Sequence, residues 1–244
     1  MNHALTLALA TALTFGAAPV SVEGLKQPVS VKAVEQETTL CQLSLYGTVG
    51  KSPHPWVSIS ISHLVEGEVV ETSVIGQMKA GTSSGSLAAL LASRLRARGA
   101  LVTEFSENST VTGGLFIEDV VSVRLDLPAG PEASVIFCDR PLGVLTLRPT
   151  NAAPGAGNLK FQGIVVAVDG KHRSTESVEV PIVEGDTGHD VCKRLFDRSL
   201  EAGWLPVRPK TDRWSPSRRQ DSGKLESSEV KLSASGWELE VVAG

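Results

Sequence analysis

The stretch AGTSSGSLAALLASRLRARGAL, Ala80 to Leu101, aligns without a gap on EGDTGHDVCKRLFDRSLEAGWL, Glu184 to Leu205. Gly81 falls on Gly185, Leu91 on Leu195, Arg94 on Arg198, Gly99 on Gly203 and Leu101 on Leu205. A constant offset across identical and similar residues means one supersecondary unit used twice. Each copy reads as a capped helix. Thr82, Ser83 or Ser84 precedes Leu87, Leu90, Leu91 and Leu95 at helical spacing, and Asp186 or Thr187 precedes Val191, Leu195 and Phe196. Gly99 and Gly203 then stop the two helices as left-handed residues.

Outward from the helices the pattern turns to strands. Trp56 to His63 (WVSISISH) alternates strictly, and Val69 to Met78 forms a second extended run across the turn Glu66-Gly67-Glu68. In the second copy, Phe161 to Val168 and Ser177 to Val183 flank Asp169-Gly170, a strong turn dipeptide. Ala100 to Phe105 and Leu115 to Leu127 follow the first helix, and Glu229 to Val242, with a turn at Gly236, closes the second unit. The fold expected from this is α+β: a tandem duplication of a ββαββ unit, each an antiparallel sheet with one packed helix. Its parts are an N-terminal arm or signal-like segment over 1–40, a first unit over 41–148, a linker over 149–158 (rich in Pro, Gly and Asn) and a second unit over 159–244. That second unit carries a polar insertion at 209–227.

Composition narrows the function classes. Of 244 residues, 41% are hydrophobic and 20% charged, as in a globular protein, while only 5% are aromatic, so the core must rely on Val, Leu, Ile and Ala. A formal charge of −4 is too small and of the wrong sign for nucleic-acid binding by bulk electrostatics. No apolar run reaches the roughly 18 to 20 residues of a membrane-spanning helix. The segment Ala4 to Ala18 (ALTLALATALTFGAA) has the small, apolar character of a secretory signal core, but no Lys or Arg precedes it and Pro19 follows the candidate cleavage site. Its alternation of Leu5, Leu7 and Leu9 fits an ordered strand or arm equally well.

Three cysteines do not build a disulfide framework, yet Cys41 and Cys138 each adjoin an extended segment ahead of a unit, so pseudo-symmetric packing would let them approach as a disulfide. Cys192, beside Val191, reads as a buried free thiol.

Two strands, a helix capped by Gly-Asp-Thr (Glu184-Gly185-Asp186-Thr187 with Val191, and more loosely Ala80-Gly81-Thr82-Ser83 with Leu87) and two further strands resemble a repeat module of phage tail proteins, sheath-like ones among them. The pattern is also similar to repeats of secreted bacterial surface proteins. Either resemblance implies an architectural, self-associating role and carries no catalytic residue onto this chain.

Other motifs offer chemistry. Gly81-Thr82-Ser83-Ser84-Gly85 satisfies G-x-S-x-G between a strand and a helix, where a nucleophile elbow belongs, with Asp119, Asp126 or Asp139 as acid and His172 or His189 as base. Against a hydrolase stand the matching segment Gly185-Asp186-Thr187-Gly188-His189, which lacks the serine, and flanking strands that read as antiparallel hairpins. His3, His54, His63, His172 and His189 show no metal-ligand spacing. In the insertion, Lys210, Arg213, Arg218, Arg219 and Lys224 surround Trp214, a mixture suited to a polyanion or an acidic protein surface, although Asp212, Asp221 and Glu226 partly neutralise it. The expected function is therefore a non-enzymatic structural protein without cofactor or metal, most simply a virion component of phage tail type working through protein partners or self-association. A secreted or periplasmic binding module with a cleaved signal is the alternative, and a serine hydrolase using Ser83 a distant one.

Overall fold

A computed structural model describes residues 39–51, 55–106, 112–150, 154–204, 206, 208–209, 211–216 and 223–244. The N-terminal arm up to residue 38 lies outside these described residues. In chain order the elements are β1 (Cys41–Tyr46), β2 (Trp56–Val65), β3 (Glu68–Gln77), α1 (Ser84–Arg96), β4 (Val102–Phe105), β5 (Thr112–Ile117), β6 (Val120–Asp126) and β7 (Glu132–Phe137). After these come β8 (Leu142–Pro149), β9 (Gly157–Val166), β10 (Arg173–Ile182), α2 (Gly188–Glu201), β11 (Arg213–Trp214), β12 (Lys224–Leu232) and β13 (Trp237–Ala243).

Among the described residues all strand pairs are antiparallel, and they form a seven-stranded sheet ordered β10-β9-β12-β7-β1-β5-β4 and a six-stranded sheet ordered β11-β8-β13-β6-β2-β3. This corrects the α+β expectation of a ββαββ unit that lays one helix on its own sheet. The protein is a β-rich sandwich with two short helices, and each sheet takes strands from both repeats. The reason lies in the connections. Leu115 to Leu127, which reads in sequence as one extended run, breaks at Glu118-Asp119, where the chain leaves one sheet as β5 and enters the other as β6. Asp119 adopts φ +59° at that corner. The same crossing recurs between β7 and β8 and between β12 and β13. The segment 149–158 is the connection between β8 and β9.

The offset that carries Ser84 to Gly188 also carries the first residue of β6, Val120, to the first residue of β12, Lys224. Under it β2 and β3 map onto β9 and β10, β1 onto β8 and β7 onto β13, so each sheet is the image of the other. Alternation decides which faces meet: Val57, Ile59 and Ile61 of β2 and Leu159, Phe161 and Val165 of β9 point inward, with Ser58, Ser60, Lys160 and Gln162 among the residues turned outward. The two inner faces share one core that also takes Leu87, Leu91 and Leu95 of α1 and Val191, Cys192 and Leu195 of α2.

The helices close the two flanks of the sandwich. Helix α1 packs against β3, an edge of one sheet, and against β4 and β5 at the facing edge of the other; α2 does the same with β10 on one side and β8 and β11 on the other. Close backbone approach makes this possible. A Cβ at Gly113 of β5 would come within 2.5 Å of Gly85 Cα in α1, and one at Gly188 of α2 would overlap the Leu147 carbonyl of β8. Both helices end alike: the amides of Ala100 and Trp204 reach back to the Leu95 and Ser199 carbonyls at 3.2 and 2.9 Å, across Gly99 and Gly203 at φ +88° and +83°.

Candidate functional site

Ser83 is the N-cap of α1. Its hydroxyl accepts the Ser86 amide at 3.2 Å, and Ser84, the next residue of the G-x-S-x-G pattern, is buried. The described histidines are engaged elsewhere. His63 is buried and hydrogen-bonds Thr72 at 3.0 Å, His172 pairs with Asp169 within its own turn, and His189 donates to the Thr211 carbonyl at 3.0 Å. His3 and His54 fall outside the described residues. Asp119 shapes a sheet-crossing corner, while Asp139 accepts the Leu40 amide at 3.3 Å. The residues of the hydrolase reading are thus spread over separate structural tasks. Among the described residues no three His, Cys, Asp or Glu side chains gather as a metal site.

Thr187 caps α2 within a reciprocal capping box: its side chain accepts the Asp190 amide at 3.2 Å while Asp190 accepts the Thr187 amide at 2.9 Å. The Thr187 hydroxyl and then its backbone amide hold the Asp190 carboxyl below its usual proton affinity. Asp186 accepts the Val183 amide at 2.7 Å and pairs with Arg194.

Packing does bring the two cysteine segments together, but not as a disulfide. Cys41 lies opposite Phe137 in the β1–β7 ladder, and the Cys138 amide donates to the Leu40 carbonyl at 2.8 Å. Neighbouring residues in a strand point to opposite faces, so Cys41 faces the core and Cys138 the solvent, and both are free thiols. Burial, followed by the nearby Cys138, raises the Cys41 thiol far above its ordinary value. Cys192 is also free and buried; burial and then Asp212 push it up to about 12, and its thiol donates to the Asp212 carbonyl at 3.1 Å.

The polar insertion behaves differently from its composition. Trp214 is the buried half of β11, only 1% exposed, so it is a core residue and not a surface anchor. Its ring meets Phe161 edge-on at 4.9 Å, and Trp204 meets the same phenylalanine at 5.4 Å. Asp212 pairs with Arg148, and its carbonyl accepts the Leu147 amide at 3.0 Å. Of the basic candidates, Arg213 is exposed opposite Thr146, whereas Lys210, Arg218 and Arg219 lie outside the described residues. The aromatic cluster was not anticipated; the one signal for it was that Trp204, right after the helix-ending Gly203, replaces the small Ala100 of the first copy.

Two surface features remain. An open groove of about 810 Å³ lies where β8 begins and β9 ends, lined by Leu142, Val166, Val168, Trp204 and Leu225 with Asp139 and Lys224 among its polar members. Counting antiparallel partners from β8 through β13 and β6 puts the end of β2 at this same end of the sandwich. Both repeat-related hairpin turns therefore project from one end. Each carries exposed apolar side chains, Val65, Val69 and Val70 on the hairpin at the α1 flank and Ile164 and Val168 on the one at the α2 flank.

Comparison of the chain with protein-family models, with curated proteins and with solved structures gives no match. No helix among the described residues is long and apolar enough to cross a membrane.

Proposed function

We propose that the chain is a non-enzymatic structural subunit that works by assembling with other proteins, as a virion component of phage tail type. The observation carrying this reading is that the two equivalent hairpins, one on each flank of the same end, both leave apolar side chains exposed, Val65, Val69 and Val70 on one and Ile164 and Val168 on the other. Apolar side chains left exposed at the same place in both copies fit surfaces that an assembly covers. The ionisable groups support it from the other side: Asp169, Asp190, Asp212 and Glu226, the described carboxylates with lowered proton affinity, are each tied into a turn, a cap or an ion pair. The virion as the location rests on the resemblance of the two capped-helix units to tail-protein modules.

The groove favours a second reading, a secreted or periplasmic binding module. One experiment separates the two: mass spectrometry of purified particles and of the cell-free medium from the source culture, with N-terminal sequencing of the recovered chain. A stoichiometric place in particles with residues 1–38 retained is the expected result. A soluble monomer beginning near Ala17 or Pro19 overturns it in favour of the secreted module.

A further inference from the structure

The four sheet edges are not treated alike. An edge strand presents unpaired amides and carbonyls that invite another strand, and proteins blunt it by shortening or covering it. Here β11 has two residues and β4 four. The edge of β4 is also capped, because Arg96 Nε donates to the Val102 carbonyl at 2.8 Å. On β3 the outward residues are odd-numbered, since the Met78 amide turns inward to the Pro55 carbonyl, and two of their carbonyls are occupied: Arg94 donates to Ile75 and Arg98 to Ser73. One helix end thus seals both edges on its flank.

The repeat-related edge, β10, has lost this cover. Its outward residues are Arg173, Thr175, Ser177, Glu179 and Pro181, because the His172 carbonyl turns inward to the Ala167 amide. Ser177 and Glu179 are the counterparts of Ser73 and Ile75. The counterpart of Arg94 is Arg198, which hydrogen-bonds Glu201 at 2.9 Å instead, and those of Arg96 and Arg98 are Leu200 and Ala202, which cannot donate. At ten residues β10 is the long edge left open among the described residues. Pro181 has no amide hydrogen and marks where an added ladder must stop.

We propose that β10 is a self-association edge: two copies join antiparallel through β10 about a two-fold axis at Ser177, continuing the seven-stranded sheet from one copy into the next. The proposal specifies the partner of the assembly function given above and rests on that reading. The sequence of the edge is self-complementary in this register. Ser177 faces Ser177 of the second copy, Thr175 faces Glu179, and Arg173 faces Pro181, where the ladder ends. Arg173 is then diagonal to Glu179 of the second copy at both ends, an opposite-charge pair within reach. Centring one residue earlier would set Glu176 against Glu176. All the outward side chains are exposed, and Arg173, which donates to Glu226 of its own copy at 2.9 and 3.0 Å, exchanges or shares that carboxylate when it meets Glu179 of the second copy.

Cross-linking tests the register. Hydrogen-bonded antiparallel partners have Cα atoms about 5.5 Å apart, inside the disulfide range. In full-length protein with the exposed thiol removed (Cys138→Ser), Ser177→Cys should give a reducible dimer on mild oxidation, whereas Thr175→Cys alone should not and Thr175→Cys with Glu179→Cys should. In parallel, Ser177→Pro removes only an outward amide, so light scattering should show the dimer dissociation constant rising at least about tenfold while the thermal transition stays in place. Wild-type chain that is monomeric at the highest concentration it tolerates, a Ser177→Cys variant that stays uncross-linked, or a Ser177→Pro dimer of unchanged affinity overturns the proposal. A monomer in these assays that is nonetheless recovered from native particles defeats the β10 pairing and leaves the assembly function standing.

Discussion

The two repeats share a backbone plan and differ in what fills it. In the first, smaller residues stand at two core places, Val57 where the second has Phe161 and Ala100 where it has Trp204, and neutral serines cap α1. In the second, Phe161 sits between Trp204 and Trp214, an ionised aspartate completes the cap of α2, and glycine replaces Ser84. Duplication fixed the topology, whereas each copy solved its own packing. One copy carries arginines that cover sheet edges, and the other carries the aromatic core.

The largest effect should come from breaking that aromatic core. Phe161→Ala empties the space between two buried tryptophans and should cost about 3 to 5 kcal/mol. Val57→Ala, the matched change in the first copy, should cost about half of that or less, since it removes far less buried surface. Urea unfolding of both variants checks the ratio, and equal losses would show that the copies carry the core equally.

Exchanging the residues that begin the two helices comes next. Gly188→Ser drives a Cβ into the Leu147 carbonyl and should destabilise by about 3 kcal/mol, because backbone there has no room to give. The reverse change, Ser84→Gly, should cost about 1 kcal/mol. Similar denaturation midpoints for the two variants would mean that α2 does not depend on close approach to β8.

The caps sharpen the comparison further. Thr187→Ala should cost about 1 to 2 kcal/mol by dissolving the capping box. The Asp190 carboxyl is held below its usual proton affinity when folded, so its contribution is present at neutral pH and is lost as pH falls through that lowered folded value. Wild-type protein should therefore lose stability toward acid partly through α2, and Asp190→Asn should flatten that slope. An unchanged slope in Asp190→Asn would remove α2 as the acid-sensitive helix. At the small end, Ser83→Ala should cost about 1 kcal/mol or less, independent of pH, and leave the fold intact. Ester hydrolysis present in wild type and absent from this variant would turn Ser83 from a cap into a nucleophile.

Local chemistry was legible in the sequence because it depends on neighbours along the chain. The caps at Ser83 and Thr187, the stops at Gly99 and Gly203, and the hairpin turns at Gly67 and Gly170 follow from residue type and spacing. Trp214 was misread for the complementary reason. Its polar and basic neighbours suggest a solvated loop, and only the packing of β11 against α2 and β8, with Phe161 beside it, supplies the apolar surface that buries it. The cysteines show the same limit, since pairing of β1 with β7, both in the first copy, brought Cys41 and Cys138 to adjoining strands while register set them on opposite faces.

By itself, then, the sequence determined that a unit occurs twice, that each copy holds a hairpin and a capped helix, and which faces of those elements are apolar. Tertiary structure decided which strand lies beside which. A strand's alternation states only that one side is buried; it does not say whether the next strand continues in the same sheet or crosses to the facing one, because both choices bury the same residues. The corner at Glu118-Asp119 makes that choice, and with it come two shared sheets, two helix-closed flanks and the open edge of β10.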